Sequence, residues 1–275
     1  MGDVWAGPGA AAASGEAAEA FAQLDAVLWD PIARATLLRS NPRFDERVLD
    51  AGARDGATAL PTAELVGPGG VVDAVDPSEA MIERLRERAG DRMPQLRTHI
   101  GDATTWPYTG YDLVQCVLGV LRVDDVEQGT RHLVECARPG GRVAITVWAH
   151  GAFDPLGELL AAALPADDER VPALDEDARS TIGRAETAGT FAHWLSERGL
   201  ADVRAEAVPR HLELTPELAW RLVAGTGFRT RLGDLDDEAV DAVRDRLTGE
   251  LESRGTTAVD LTSIVAVGHR PAGDP

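Results

Sequence analysis

Residues 47–56, Arg-Val-Leu-Asp-Ala-Gly-Ala-Arg-Asp-Gly, constrain the fold of this chain more than its length or composition does. Val48 and Leu49 are apolar strand formers, Asp50, Gly52 and Gly56 follow at once, and Ala57, Thr58, Ala59 and Leu60 open a helical pattern. The segment therefore reads as strand, tight turn and helix start. Glycine at two offsets lets backbone approach a ligand closely, because no Cβ intervenes and positive φ carries no steric cost. The unpaired N–H groups of the following helix point into the same space. A second strand, residues 71–76, ends in Asp76, twenty-six positions after Asp50. An acid at the end of the second strand of a doubly wound sheet can hold a ribose diol. The ligand-free alternatives are a glycine turn kept for its shape and Asp76 acting only as a helix cap.

The turn lacks the G-x-G-x-x-G spacing that seats a pyrophosphate. Asp-x-Gly-x-x-x-Gly places an acid inside the turn, which repels pyrophosphate and suits a ligand carrying an ammonium group and a ribose. A third strand, residues 96–100, runs into Gly101-Asp102-Ala103, and an ionised acid such as Asp102 can only accept hydrogen bonds. The fourth strand, residues 111–118, is almost continuously apolar, as expected of a parallel strand buried on both faces. A helix containing Val126, His132, Leu133 and Cys136 follows, closed by Arg138-Pro139-Gly140-Gly141-Arg142 before a fifth strand at 143–148. This alternation predicts a parallel sheet with right-handed crossovers.

In these motifs the chain resembles the class I S-adenosylmethionine-dependent methyltransferases, of the bacterial small-molecule type. Their first motif reads Asp/Glu-x-Gly-x-Gly-x-Gly; Asp50, Gly52 and Gly56 match it, while Arg54 stands where the middle glycine is usual. The resemblance extends to Leu28-Trp29-Asp30-Pro31 upstream of the first strand and to the Arg-Pro-Gly-Gly-Arg segment before the fifth. It implies an α/β fold: a Rossmann-like, seven-stranded, mostly parallel sheet with helices on both faces, plus a helical cap from the N-terminus and C-terminal insertions. It implies S-adenosyl-L-methionine as cofactor, held in the first motif by Asp50, Gly52, Ala53, Arg54 and Gly56. Asp76, Pro77 and Met81 would continue that site. Gly101, Asp102 and Ala103 would meet adenine, the Asp102 side chain at the exocyclic amine, and Val117 would close the site. Trp29, Trp148 and Phe153 are the expected substrate contacts; for Trp29 the alternative is that it merely packs its helix on the sheet.

Residues 1–20 are rich in Ala and Gly and read as a flexible tail, and residues 21–46 as the helical cap, with a helix at 21–38 interrupted by Pro31. Residues 47–150 form the cofactor-binding core; residues 151–275 complete the sheet and carry a helical lid at 215–255. Within that last part the pattern gives a helix at 153–164, an acidic loop at 166–178, an amphipathic helix at 190–198, a strand at 202–214 and a final strand at 262–268. Thr215 and Pro216 are the cap and first residue of the lid's first helix.

An oxygen nucleophile generally needs a base, and His150, directly after the fifth strand, is the first candidate, with His211 second. A lone histidine is more often a surface or packed residue, and an acceptor that is already ionised needs no base. The formal charge of -19 opposes a duplex-binding surface, so small molecules are the expected partners, with a homodimer left open. Cys116 and Cys136 make neither a disulfide framework nor a zinc site, and no metal is expected. Without an eighteen-residue apolar run or a signal-peptide pattern, the expected location is the cytoplasm. The expected activity is methyl transfer to a small molecule, a secondary metabolite, with O-methylation favoured. A methyltransferase-fold enzyme catalysing cyclisation, and a non-catalytic binding protein, are the alternatives, because fold alone does not choose function.

Overall fold

The computed structural model describes residues 15–123, 125–165, 187–233 and 235–272. The strands β1 (Arg47–Ala51), β2 (Val71–Asp76), β3 (Leu96–Ile100), β4 (Tyr111–Val117), β5 (Ala137–Trp148), β6 (Ala201–Val208) and β9 (Ser263–His269) form one sheet in the order β3-β2-β1-β4-β5-β9-β6. β9 runs antiparallel between β5 and β6, and the other pairings described from β3 to β5 are parallel. Chain order reverses at β1, which pairs β2 on one side and β4 on the other. The carboxyl ends of β1 and β4 therefore part company, and open α/β sheets bind ligands in such crevices.

Helices α1 (Gly15–Ala22) and α2 (Asp30–Ser40) precede the sheet, followed by α3 (Ala59–Val66), α4 (Glu79–Ala89) and α5 (Val126–Cys136) at the crossovers. Then come α6 (Asp154–Ala163), α7 (Ala188–Ser196), α8 (Pro216–Gly225) and α9 (Asp237–Arg254). Val48, Leu49, Val72, Val75, Leu113 and Val114 are all buried, which is why these strands carry apolar residues on both faces. A separate apolar cluster joins Leu24, Leu28 and Ile32 of the N-terminal segment to α6, α8 and α9 and to Trp148 and Phe153. The N-terminal segment and α6, α8 and α9 thus share a core with Trp148 at the carboxyl end of β5.

Arg142 shows why the Arg-Pro-Gly-Gly-Arg segment needs its last residue. Its guanidinium donates to both carboxylate oxygens of Glu46, at 2.9 and 2.6 Å, and to the carbonyls of Ser40 and Asn41 at the end of α2. A fork donor satisfies helix-end carbonyls that have no partner of their own. Arg142→Ala is expected to lower unfolding free energy by about 3–5 kcal/mol, read by denaturant titration, since it strands Glu46 as well.

The structure departs from the sequence reading at several places. The tail expected over 1–20 is helical from Gly15, with Ala18 and Phe21 buried against Met81; residues 1–14 lie outside the described residues. Pro31 begins a helix rather than interrupting one. α1 ends at Ala22, a π-helical turn spans Asp25–Trp29, and α2 restarts at Asp30 with Pro31 in its first turn, where a missing N–H costs nothing. The strand expected over 202–214 is two strands, because Pro209 has no N–H to donate to a ladder. β6 ends at Val208, and β7 (His211–Glu213) pairs with β8 (Ala258–Asp260) in a small sheet of its own. The lid helices α8 and α9 therefore join the strands of that small sheet. β5 starts at Ala137 rather than 143, with the Pro-Gly-Gly excursion inserted between Tyr111↔Ala137 and Leu113↔Arg142. The acidic loop at 166–178 lies outside the described residues.

Thr215 caps α8 by accepting from the Leu218 N–H at 3.1 Å, with Pro216 in the first turn, as expected. The buried Trp106 indole donates to the Tyr111 hydroxyl, which donates to Asp73. His132 meets the Trp106 carbonyl at 2.9 Å, a structural role, and His193 sits exposed beside Glu197.

Candidate active site

The β1–α3 turn folds across the end of β2. The N–H groups of Gly52 and Ala53 both donate to the Val75 carbonyl, at 2.8 and 3.0 Å, which holds Gly52 at φ +76°. The next residue, Arg54, also takes a left-handed backbone, φ +49°, and its N–H donates to one oxygen of Asp76 at 3.0 Å. The other Asp76 oxygen accepts from the Ser78 N–H at 2.9 Å, and Ser78 caps α4. Asp76 therefore ties the turn to the start of α4. An ionised carboxylate has about four acceptor sites, so each oxygen keeps a lone pair for a further donor.

Asp50 is 1% exposed, and its Oδ2 has no hydrogen-bond partner. Burial pushes its carboxyl up to about 7, Gln115 beside it draws the value down, and the Asp76 charge adds a smaller push upward. A buried acceptor with no counter-charge is costly, and a cation placed against it would offset that cost. Asp102 ends β3's side of the same rim. It is exposed, and its Oδ1 accepts from the N–H and hydroxyl of Thr104 at 2.8 and 2.7 Å. Gly101 donates to the Asp76 carbonyl at 3.0 Å, so the ends of β2 and β3 stay together. Asp50, Asp76 and Asp102 thus stand at the carboxyl ends of three adjacent strands.

Gly56 is also required by packing. At φ +96°, a Cβ would lie 2.2 Å from Leu85 Cδ1 and 3.0 Å from Leu60 Cγ, so this glycine makes room for the Leu85 side chain of α4. Gly56→Ala is expected to cost about 2–4 kcal/mol of stability, combining backbone strain with overpacking, as measured by chemical denaturation.

A cavity of about 50 Å³ opens beside the turn. Gly52, Ala53 and Arg54 of the turn line it together with Val117, Leu118, Trp148 and Phe153. The cap contributes Phe21, Trp29 and Ile32, and the lid contributes Thr226 and Gly227. Phe21 stacks on Trp29 with centroids 4.5 Å apart, and the Trp29 indole donates to the Phe21 carbonyl. Trp148 and Phe153 meet edge to face at 4.8 Å, and Phe153 meets Phe228 of the lid at 5.8 Å. The space is small against the roughly 300–1,000 Å³ of ordinary ligand pockets, because α1 presses Phe21 onto the turn.

All three expected substrate contacts, Trp29, Trp148 and Phe153, line this cavity, as do Gly52, Ala53, Arg54 and Val117. Asp50, Gly56, Asp76, Pro77, Met81, Gly101, Asp102 and Ala103 do not. Met81 is buried beneath Ala18 and Phe21, while Pro77 is exposed. Neither candidate base reaches the cavity: His150 is exposed on the turn that leaves β5, and His211 is exposed beside Asp260 at 3.7 Å on the small sheet. Phe21, Asp55, Thr226 and Gly227 are lining residues that sequence reasoning missed. The one available signal was Gly225-Thr226-Gly227, a break between two helical patterns. Asp55 is fully buried on Arg88 at 2.8 Å, and Arg88 also reaches Asp25 at 3.2 Å, which fastens the cap to the turn. Burial raises the Asp25 carboxyl to about 6, against the pull of Arg88. Among the described residues no cluster of His, Cys, Asp and Glu could hold a metal ion, and no helix is long and apolar enough to cross a membrane.

The strand order and the succession of motifs along it are those of a class I S-adenosylmethionine-dependent methyltransferase. A model of the methyltransferase domain matches residues 48–141. Over 265 residues the chain is 28% identical to the nocamycin O-methyltransferase of Saccharothrix syringae, covering 88% of this chain and 92% of that protein. It is 31% identical over 143 residues to the aklanonic acid methyltransferase of Streptomyces sp. (strain C5), covering 50% of this chain and 65% of that protein. Among solved structures, the YcgJ protein of Bacillus subtilis superposes with a TM-score of 0.56 at 18% identity, over 88% of this chain and 99% of that one, a likeness of fold. S-adenosylmethionine is the cofactor of this enzyme.

Proposed function

We propose that this chain methylates an oxygen of a small molecule, a secondary metabolite, and that the cavity between the glycine turn and the aromatic residues is where the acceptor sits. The observation that carries this reading is the meeting in one cavity of Gly52, Ala53 and Arg54 with Trp29, Trp148 and Phe153. The first set comes from the motif that names the cofactor, and the second offers flat apolar surface to a ring system. The names of the two relatives, one an O-methyltransferase of nocamycin and the other acting on aklanonic acid, support an oxygen acceptor of that kind.

The cofactor supplies a sulfonium methyl that is already electrophilic. The chain's own residues bind, orient and exclude water. Asp76, with a lone pair spare on each oxygen, is assigned the ribose hydroxyls, and the orphaned Asp50 oxygen is assigned the ammonium group. The exposed Asp102, with Gly101 and Ala103, is assigned adenine, alongside Pro77 and Met81. Because Met81 lies under Ala18 and Phe21, α1 has to shift for adenine to reach it. Residues 47–150 act as the cofactor-binding core, 21–46 as the cap and 215–255 as the lid. With neither His150 nor His211 on the cavity lining, the acceptor that fits best is one ionised in water, which needs no base. A cytoplasmic location is proposed from two free, buried cysteines, Cys116 and Cys136.

Calorimetry of the full chain with S-adenosylmethionine, followed by incubation with methyl-labelled cofactor and a panel of aromatic acids and phenols, tests this. Binding together with label in an oxygen-methylated product is expected. Absence of any cofactor binding by the folded chain would sink the reading.

A further inference from the structure

Arg54 occupies a position at which the related motif carries glycine, and the backbone shows the consequence. Its φ of +49° is left-handed, a conformation that costs a side-chain-bearing residue about 1–2 kcal/mol and costs glycine nothing. Strain kept at a ligand cavity is a reason to ask what the side chain does there. The guanidinium lies 5.2 Å from the Phe21 ring centroid, over its face, and the residue lines the cavity. Stacking of this sort orients a guanidinium while leaving its N–H edge free.

Among the described residues, no carboxylate comes within 4 Å of the Arg54 guanidinium. The two nearby acids attract the guanidinium without pairing with it: Asp55 pairs with Arg88, and Asp76 accepts from the Arg54 and Ser78 backbone N–H groups. Besides Asp55, the other polar side chains on the lining are the hydroxyls of Thr58 and Thr226, and the rest is apolar or aromatic. A fork of donors facing a mostly apolar cavity, with no ion pair of its own, matches a carboxylate in both charge and shape.

We propose that Arg54 is the carboxylate-binding cation of this cavity. Two molecules could bring that carboxylate: the cofactor through its methionyl end, or an acidic acceptor. The acceptor case rests on the function proposed above and deepens it, because methylating a carboxylate releases no proton and a cavity without a base is then sufficient. Arg54 binds and orients here; it is assigned no proton transfer.

The test compares wild type with Arg54→Gln, Arg54→Lys and Arg54→Gly by calorimetry on the full chain. One arm measures S-adenosylmethionine against decarboxylated S-adenosylmethionine, and the other measures 2-naphthoate against 2-naphthamide. In at least one arm, wild type should favour the carboxylate by about tenfold to a hundredfold, and Arg54→Gln and Arg54→Gly should erase the preference. Arg54→Lys should keep part of it. The arm that responds identifies the source. Arg54→Gly suits the left-handed backbone, so it guards against a glutamine variant that fails to fold. No carboxylate preference in either arm for wild type, or a preference that survives both uncharged variants, overturns the proposal. Wild type that binds no S-adenosylmethionine defeats the function reading instead, and the naphthoate arm still decides Arg54.

Discussion

Asp76→Ala is expected to weaken S-adenosylmethionine binding by roughly a hundredfold or more, the largest loss from any single change in the rim of acids. Two hydrogen bonds from ribose hydroxyls to an ionised carboxylate contribute about 1.5–3 kcal/mol each, and each 1.4 kcal/mol is about tenfold in affinity. The substitution also strips partners from the Arg54 and Ser78 N–H groups, now bound at 3.0 and 2.9 Å, so stability should fall as well. Asp76→Asn separates the two effects. Its one carbonyl oxygen can satisfy one N–H, so more of the fold's stability should be kept than in the alanine variant, while the charge assistance at the ribose is lost. Calorimetry on both variants, each checked by thermal melting, decides the assignment. Affinity equal to the parent's in a folded Asp76→Ala protein would mean that the ribose lies elsewhere.

Much of this site is legible before any fold is known, for a physical reason. A change from strand to helix periodicity around glycine, repeated with an acid at the end of each strand, is a local pattern, and it placed Asp50, Asp76 and Asp102 on neighbouring strand ends. Contacts between segments distant in sequence are not local patterns. Gly56 is visible as a glycine, but only the fold shows that a Cβ there would strike Leu85. Composition alone marks the first twenty residues as a tail, yet Phe21 anchors α1 over Met81 and supplies a cavity wall. His150 follows a buried strand end, and the chain's turn after Trp148 carries it outward to solvent, which no spacing rule reports. The split of the sixth strand was within reach, since Pro209 announces it. A similar limit governs Arg54: the sequence shows a residue out of pattern, and the structure adds its left-handed backbone and its place over Phe21.

Asp50→Asn should move stability and binding in opposite directions. The Asp50 carboxyl sits at about 7 in the folded chain because it is buried, whereas in the unfolded chain it takes the ordinary value of 3.8. Between those values the native state holds a proton that the unfolded state has released. The stability this confers is complete below about pH 4 and is lost as pH rises through about 7. A gap of about three pH units corresponds to a cost on the order of a few kcal/mol above pH 7. Asparagine is neutral throughout, and its amide can donate toward the Gln115 Oε1, which is buried without a partner. The variant is therefore expected to be more stable than the parent at pH 8 and to lose that advantage by pH 4, as read by denaturant midpoints across the range. Cofactor binding should respond in the other sense. If Asp50 receives the ammonium group, it does so ionised, so the parent's affinity should rise with pH up to about 7 and then level off. The asparagine variant should bind at least tenfold more weakly at pH 8, with that pH dependence flattened. Parallel stability curves for the two proteins would show that Asp50 is ionised in the fold at neutral pH. A variant that kept the parent's affinity and pH profile would remove Asp50 from the cofactor site.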